Sequence, residues 1–215
     1  FDKENLIVLR VDATQYEGWF YEGAGIYRNV ALETFTPVHI PEYGVYVYAK
    51  VEKSQAKVVA QTTVKNQEGK TAECTVSSYV MDAKGTQVTP TRTEKLKIKN
   101  NETQQVEQNF SIKNPLLWGF NTPNLYRLVS IVKKDGKIID TLSTEFGVRT
   151  FDYNATTGFS LNGESMKIKG MCVHQDHAGV GSAVPDALVF YRIKLLKEMG
   201  VNAYRCSHNP PSKSV

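Results

Sequence analysis

Residues 200–211 read Gly200-Val201-Asn202-Ala203-Tyr204-Arg205-Cys206-Ser207-His208-Asn209-Pro210-Pro211. A glycine suited to stopping a helix is followed by a short β-prone run over 201–205. That run delivers Arg205, His208 and Asn209 where a strand would release its chain into a loop. Upstream, Asp186 is placed to cap a helix reaching Met199, with Val189, Ile193, Leu196 and Met199 near one face at helical spacing. Before the helix, 166–173 reads as another short strand, leaving through His174-Gln175-Asp176-His177. Strand, helix and strand joined by one crossover form a βαβ unit, whose strands pair in parallel. One such unit cannot cover both faces of its sheet. A large complement of strands is therefore missing on this reading; residues 150–215 are taken as the opening of a (β/α)8 barrel, truncated after its first βαβ unit, an assignment that rests on the resemblance given below. In that architecture the carboxyl ends of the strands carry the chemistry.

The preceding segment has another period. Val45, Val47, Ala49 and Val51 alternate with Tyr46, Tyr48, Lys50 and Glu52, and the alternation resumes through Val58–Val64 and Cys74–Val80. Further strands are expected at 94–99, 104–112, 125–133 and 137–148. A period of two sends one row inward and the other outward. Glu68-Gly69, Lys84-Gly85, Asn100-Asn101 and Asp135-Gly136 punctuate the runs, and Asp-Gly between apolar strands marks a hairpin because both residues accept positive φ. About seven strands at this spacing predict an immunoglobulin-like sandwich over residues 35–149. The Cys…Trp…Cys pattern of antibody domains is missing, so only the architecture follows. Residues 5–11 and 26–32 read as two more strands, with the turn signal Gly23-Ala24-Gly25 between them. Two strands make no stable domain, so residues 1–34 are expected to be the tail of an upstream β-domain. The fold class is mainly β.

Composition narrows the function classes. Hydrophobic content of 41% and charged content of 22% fit a globular chain with a real core. The net charge of +4 is mild, and the densest basic stretch, Glu94-Lys95-Leu96-Lys97-Ile98-Lys99, reads as a strand with a solvated lysine face. No nucleic-acid partner is expected. No apolar run reaches transmembrane length, so no membrane partner is expected either. Cys74, Cys172 and Cys206 form no disulfide framework. The sequence opens on Phe1-Asp2-Lys3, which reads as a piece of something longer and leaves the compartment undefined.

The chemistry-bearing residues gather at the ends of the two predicted parallel strands. Arginine donates in a fixed fork, histidine donates or accepts, and Asp and Asn grip hydroxyls. His174, Asp176, Arg205, His208 and Asn209 thus suit a polyhydroxylated ligand, against the plainer reading of loop-end polarity. A zinc site drawn from Cys172, His174, His177, Cys206 and His208 is the sharper rival, but its spacing fits no closed zinc motif and alternation sends neighbours to different faces. No cofactor or metal is expected. Asn101-Glu102, Asp135 and Glu164 sit in turns and are read as solvated. Trp19, Phe20 and Tyr21 suit a core or domain interface better than a sugar face.

Four stretches carry a resemblance to glycoside hydrolase family two, the group of β-galactosidases, β-glucuronidases and β-mannosidases. Trp19 through Val30 resembles the last strands of that family's jelly-roll, sugar-binding domain. Leu117-Trp118 with Pro123-Asn124-Leu125-Tyr126 resembles a signature late in its immunoglobulin-like domain. Phe146-Gly147-Val148-Arg149, then Phe159-Ser160-Leu161-Asn162-Gly163, resembles the junction into the barrel. Lys169-Gly170 through Asp176, with Asn202 through Pro210, resembles the first two barrel strands. The resemblance implies that His174, Arg205 and His208 line the sugar subsite and that Asp176 holds sugar hydroxyls. The family often has Glu where this chain has Gln175, and Tyr where it has Asn209.

It also implies a retaining β-glycosidase, taken here as a β-galactosidase acting on a β-galactoside. The family's two catalytic carboxylates come from later barrel strands, and no residue here matches either, so the 215-residue piece is expected to be inactive. The alternative is a carbohydrate-binding or structural β-sandwich module. A homo-oligomer is left open.

Overall fold

The computed structural model describes residues 4–12, 14, 25–208 and 210–215. The expectations for Trp19, Phe20, Tyr21, the first part of the glycine turn and Asn209 fall outside them. The chain divides into two compact units, Glu33–Lys167 and a second made of Phe1–Leu32 with Ile168–Val215.

The larger unit is built on eight strands: β1 (Val38–His39), β2 (Val45–Glu52), β3 (Gln55–Asn66), β4 (Ala72–Met81), β5 (Arg92–Ile98), β6 (Thr103–Lys113), β7 (Tyr126–Lys134) and β8 (Lys137–Phe146). One sheet centres on β3, with β1 and β2 along one edge and β6 along the other; the second runs β5-β4-β7-β8, and every pairing is antiparallel. This is the expected immunoglobulin-like sandwich. The unforeseen strand is β1, whose two residues pair with the far end of β3 through Val38↔Asn66. Asp135 and Gly136 take φ of 50° and 76° at the β7–β8 hairpin, the twist a two-residue turn needs to match its strands.

Alternation is realised in the burial. Ala56, Val58, Ala60 and Val64 of β3 are fully buried, as are Val76 and Val80 of β4 and Leu128 and Val132 of β7. They fall into two apolar clusters, one around Phe110, Tyr126 and Leu128 and one around Leu96, Ile98 and Val132. Buried polar residues, Thr62, Ser78, Gln108 and Ser130, share this interior. Gln108 Nε2 donates to the carbonyls of Val76 and Arg92, and Ser78 Oγ donates to Ser130 Oγ. Buried Asn66 caps the far end: its Nδ2 donates to the carbonyls of Lys70 and Ile98, each at 2.8 Å, and its Oδ1 accepts from the Glu68 N–H.

A three-stranded sheet of β9 (Phe151–Asn154), β10 (Gly158–Leu161) and β11 (Glu164–Ser165) belongs to the same unit. Asn162 and Gly163, at φ of 53° and 83°, make the expected hairpin turn. Asn162 also donates from Nδ2 to the Trp118 carbonyl and accepts at Oδ1 from the Thr150 N–H. Trp118 lies between this turn and the end of β8, with the Arg149 guanidinium 4.6 Å over its ring.

In the second unit, β12 (Gly170–His174) and β13 (Ala203–Ser207) form a parallel pair, connected by α1 (Asp186–Glu198). Strand, helix and strand are as expected, with each strand displaced toward the carboxyl end. Asp186 is not the cap. Pro185 holds that position without a side-chain cap bond, and Asp186 opens the first turn, where the helix dipole favours a carboxylate. Gly200, at φ of 82°, ends α1: its N–H donates to Lys197 O and that of Val201 to Leu196 O, the paired closure of a Schellman end.

Two expectations fail here. Residues 5–11 and 26–32 are not strands, and Leu6, Ile7, Val30 and Leu32 are each at least 79% exposed. β-propensity reflects packing against a partner edge, and no strand among the described residues offers them one. Met199 also departs from the expected helical face. Val189 is buried and Ile193 and Leu196 are half-buried, while Phe190 and Met199 face outward.

Gly147 offers a direct test of the Trp118 packing. A Cβ there would lie 2.9 Å from Trp118 Cβ, closer than two carbons approach. Gly147→Ala is expected to destabilise the sandwich by about 1–3 kcal/mol, read as a lower urea midpoint. An unchanged midpoint would show that Trp118 moves freely.

Candidate functional site

The geometry of the site begins with the register of β12 and β13. Gly170 lies abreast of Ala203, Cys172 of Arg205 and His174 of Ser207. Side chains alternate along a strand, so these three pairs share one face of the ladder. Met171, Val173, Tyr204 and Cys206 point to the other. The register is clamped where the strands begin: Lys169 N–H donates to Asn202 Oδ1 at 2.7 Å, and Asn202 N–H donates to Lys169 O at 3.0 Å.

On the first face, Arg205 is the hub. Its Nη1 donates to Ser207 Oγ at 2.9 Å and lies 3.8 Å from Cys172 Sγ. Its Nη2 meets His208 Nδ1 at 3.4 Å. A guanidinium only donates, so this contact requires a lone pair on Nδ1 and puts the proton of neutral His208 on Nε2. The His208 and His174 rings meet edge to face, with centroids 5.7 Å apart and planes at 89°. Three of the five anticipated residues are thus brought together. Asp176 is exposed, and among the described residues its carboxylate makes no hydrogen bond to this cluster. Asn209 lies outside the described residues.

The same geometry does not bring the zinc candidates together among the described residues. Cys206 points away from Cys172, and His177 bonds through Nδ1 to the neighbouring Ala178 carbonyl. Among the described residues, no three His, Cys, Asp or Glu side chains are grouped to hold a metal ion.

A cavity of about 310 Å³ is lined by Val173, Tyr204 and Cys206 of the opposite face with Arg192 of α1, and at the strand ends it also reaches His174 and Ser207. Neither Arg205 nor His208 lines it. Burial pushes the Tyr204 phenol above its ordinary value near 10, while Arg192 pulls it down and Cys206 adds to the rise.

Two arginines that sequence reasoning did not single out for the site hold its loops. Arg192 Nη2 donates to the carbonyls of His174 and Asp176, at 3.1 and 3.0 Å. Arg28 donates to Gln175 Oε1 and to the carbonyls of Pro210 and Pro211. A signal for Arg192 existed, since it lies three residues after Val189 on the covered side of α1. Arg28 had none beyond its place in a family-like stretch.

Residues 38–149 match the family described as Glycosyl hydrolases family 2, and residues 155–215 match its TIM barrel domain. The chain belongs to glycosyl hydrolase family 2. Among similar family 2 proteins, a chain named Beta-galactosidase BoGH2A from Bacteroides ovatus is 39% identical over the whole of this chain, which covers 25% of that protein. A Beta-glucuronidase from Formosa agariphila is 32% identical over 97% of this chain and 24% of its own. The crystal structure of a family 2 member from Bacteroides cellulosilyticus superposes with a TM-score of 0.84 at 34% identity, covering 90% of this chain and 27% of that one. The chain therefore spans about a quarter of the length of these family 2 relatives. The sandwich and the opening of the barrel stand as expected from the sequence. Among the described residues, no helix is long and apolar enough to cross a membrane.

Tyr204 provides a check on the α1 face. Its pKa is raised on folding, so its contribution to stability is complete below the unfolded value and is lost as pH rises through the folded one. Absorbance titration is expected to show one tyrosine, missing in Tyr204→Phe, that ionises above the ordinary value near 10. A normal titration would mean that α1 does not cover this face.

Proposed function

We propose that this chain forms part of a retaining β-glycosidase acting on β-galactosides, with His174, Asp176, Arg205, His208 and Asn209 binding the sugar. The observation that carries the reading is the convergence of Arg205, His208 and His174 where two parallel barrel strands end. A pyranose presents hydroxyls at fixed angles around a ring. A guanidinium fork and two imidazoles offer donors in several fixed directions, and a polar pocket of that kind fixes a sugar's orientation through directed hydrogen bonds. The galactoside choice follows the relative from Bacteroides ovatus.

Binding alone does not break the glycosidic bond. A retaining mechanism needs one carboxyl group to protonate the leaving oxygen and another, about 5–5.5 Å away, to attack the anomeric carbon. The cluster holds neither. Its work is to orient the ring so that those acids meet the bond, and hydrogen bonds that strengthen as the ring flattens lower the barrier. The isolated chain binds and does not cleave.

A second reading, a β-glucuronidase, has one observation in its favour. The described partners of Arg205, Ser207, Cys172 and His208, bring no carboxylate, so its positive charge is not cancelled there. A uronic acid would supply one.

Both readings are open to assay. The isolated chain is expected to release no nitrophenol from β-galactoside or β-glucuronide, and turnover above buffer would overturn the placement of the acids elsewhere. In a polypeptide that supplies this chain with the remaining barrel strands, β-galactoside is expected to be the better substrate. Arg205→Ala is expected to lower its kcat/KM by about a hundredfold or more, near 3 kcal/mol. A preference for glucuronide would favour the second reading, and no effect of Arg205→Ala would remove the site.

A further inference from the structure

The ladder between β12 and β13 ends at His174↔Ser207. Beyond it, Gln175 and Asp176 on one side and His208, Pro210 and Pro211 on the other have no strand pairing among the described residues to hold them. Pro210 and Pro211 lack N–H groups, so that stretch offers carbonyls and needs donors from elsewhere. Arg28 supplies them. It is 147 residues from Gln175 and 182 from Pro210, yet its Nη2 donates to Gln175 Oε1 and to Pro210 O, and its Nη1 to Pro211 O at 3.3 Å. The Tyr27 ring lies beneath the guanidinium, 5.3 Å from Cζ. Arg192 holds the backbone of His174 and Asp176 from α1, and among the described residues it has no hydrogen bond to the exit of β13. Arg28 is in contact with both.

We propose that Arg28 is a positioning residue for the sugar cluster: it ties the exit of β12 to the exit of β13 and so fixes His174 against His208 and Arg205. The inference rests on reading that cluster as the sugar site. Gln175 directly follows His174, and Pro210 stands two residues after His208, so a change in the span between the anchored points is passed to the two rings. The acceptors lie in different directions. A planar fork serves them together, whereas a lysine ammonium on a flexible stem meets one at the cost of the others. Because Gln175 is neutral, its bond to Arg28 gives geometry without an ion pair. A carboxylate there would add an ion pair to a bond already assisted by the guanidinium charge and make it tighter.

The test uses the full 215-residue chain and two readouts: inter-ring contacts between His174 and His208 by nuclear Overhauser effects, and galactose affinity by titration. Arg28→Met is expected to remove the inter-ring contacts and weaken affinity about tenfold, with the circular dichroism of the sandwich unchanged. Arg28→Lys is expected not to restore either, and Gln175→Glu to keep both. Gln175→Leu is expected to act in the same direction as Arg28→Met, and the double variant to be no weaker than Arg28→Met alone, because the two residues act through one contact. Should Arg28→Met unfold this unit, Gln175→Leu carries the same comparison. Intact ring contacts and affinity in Arg28→Met, or full additivity in the double variant, would overturn the proposal. Arg205→Met separates the two ideas: if it weakens affinity while Arg28→Met does not, positioning falls and the sugar site stands. If neither affects affinity, the sugar site itself falls.

Discussion

Parallel pairing of β12 with β13 is the constraint on which the chemistry depends. Two parallel strands release their chains at the same edge of the sheet, while an antiparallel pair would send them to opposite edges. Only the parallel arrangement puts His174 and His208, separated by a whole helix in sequence, 5.7 Å apart. Register matters as much as direction. A slip of one residue would turn Arg205 onto the face covered by α1 and bring Tyr204 and Cys206 to the other. The reciprocal bonds between Lys169 and Asn202 stand against that slip, since Asn202 pairs its side-chain oxygen with one backbone group and its N–H with another on the same residue. Gly170 and Ala203, abreast in the next pair, are small enough to let the strands lie close.

The sandwich rests on a different balance. Its two sheets bury rows set by the period of two, and the resulting apolar burial is the main stabilising term. Its interior is not wholly dry in character. Gln108, Ser78, Ser130 and Thr62 are buried there, and Asn66 closes one end with three hydrogen bonds. Buried polar groups cost stability when unmatched and fix one arrangement when matched. Gln108 Nε2 is matched to carbonyls of β4 and β5, which ties β6 of one sheet to the opposing sheet through a directional bond. Apolar packing alone would leave the sheets freer to slide.

Legibility followed the range of the interaction. The sandwich strands were readable because alternation is local and each run carried its own turn signal, down to the positive φ at Asp135–Gly136 and Asn162–Gly163. The βαβ unit was readable for the same reason, Gly200 marking the end of α1. Residues 5–11 and 26–32 misled because a β-prone run is a strand only when a neighbour completes its hydrogen bonds. Strand β9 went unread because its four residues are exposed on both faces and are too few for the alternation of Phe151 and Tyr153 with Asp152 and Asn154 to stand out. Asp186 misled by one position, since a proline before it takes the extended backbone that a cap requires. In the site, Arg205, His174 and His208 were legible from their place at strand ends, where a parallel pair would bring them together. Asp176 was assigned on the same logic, but two residues beyond the ladder that logic no longer constrains a side chain.

The contacts of the two arginines were not legible in the sequence, for a physical reason. A strand end is fixed by its ladder only as far as the last pair, and a loop beyond it costs entropy to hold still. Side chains held in fixed directions beyond the ladder need that entropy met by contacts arriving from distant parts of the chain. Arg192 comes from α1 and Arg28 from a segment with no regular structure of its own. The contact from Arg28 leaves no periodic trace in sequence, and that from Arg192 leaves only its place on the covered side of α1, because nothing local requires an arginine at either position. Accordingly, the polar side chains at the strand ends could be found from the pattern of the strands, and the arginines bonded to the loops beyond them could be found only once the strands were in place.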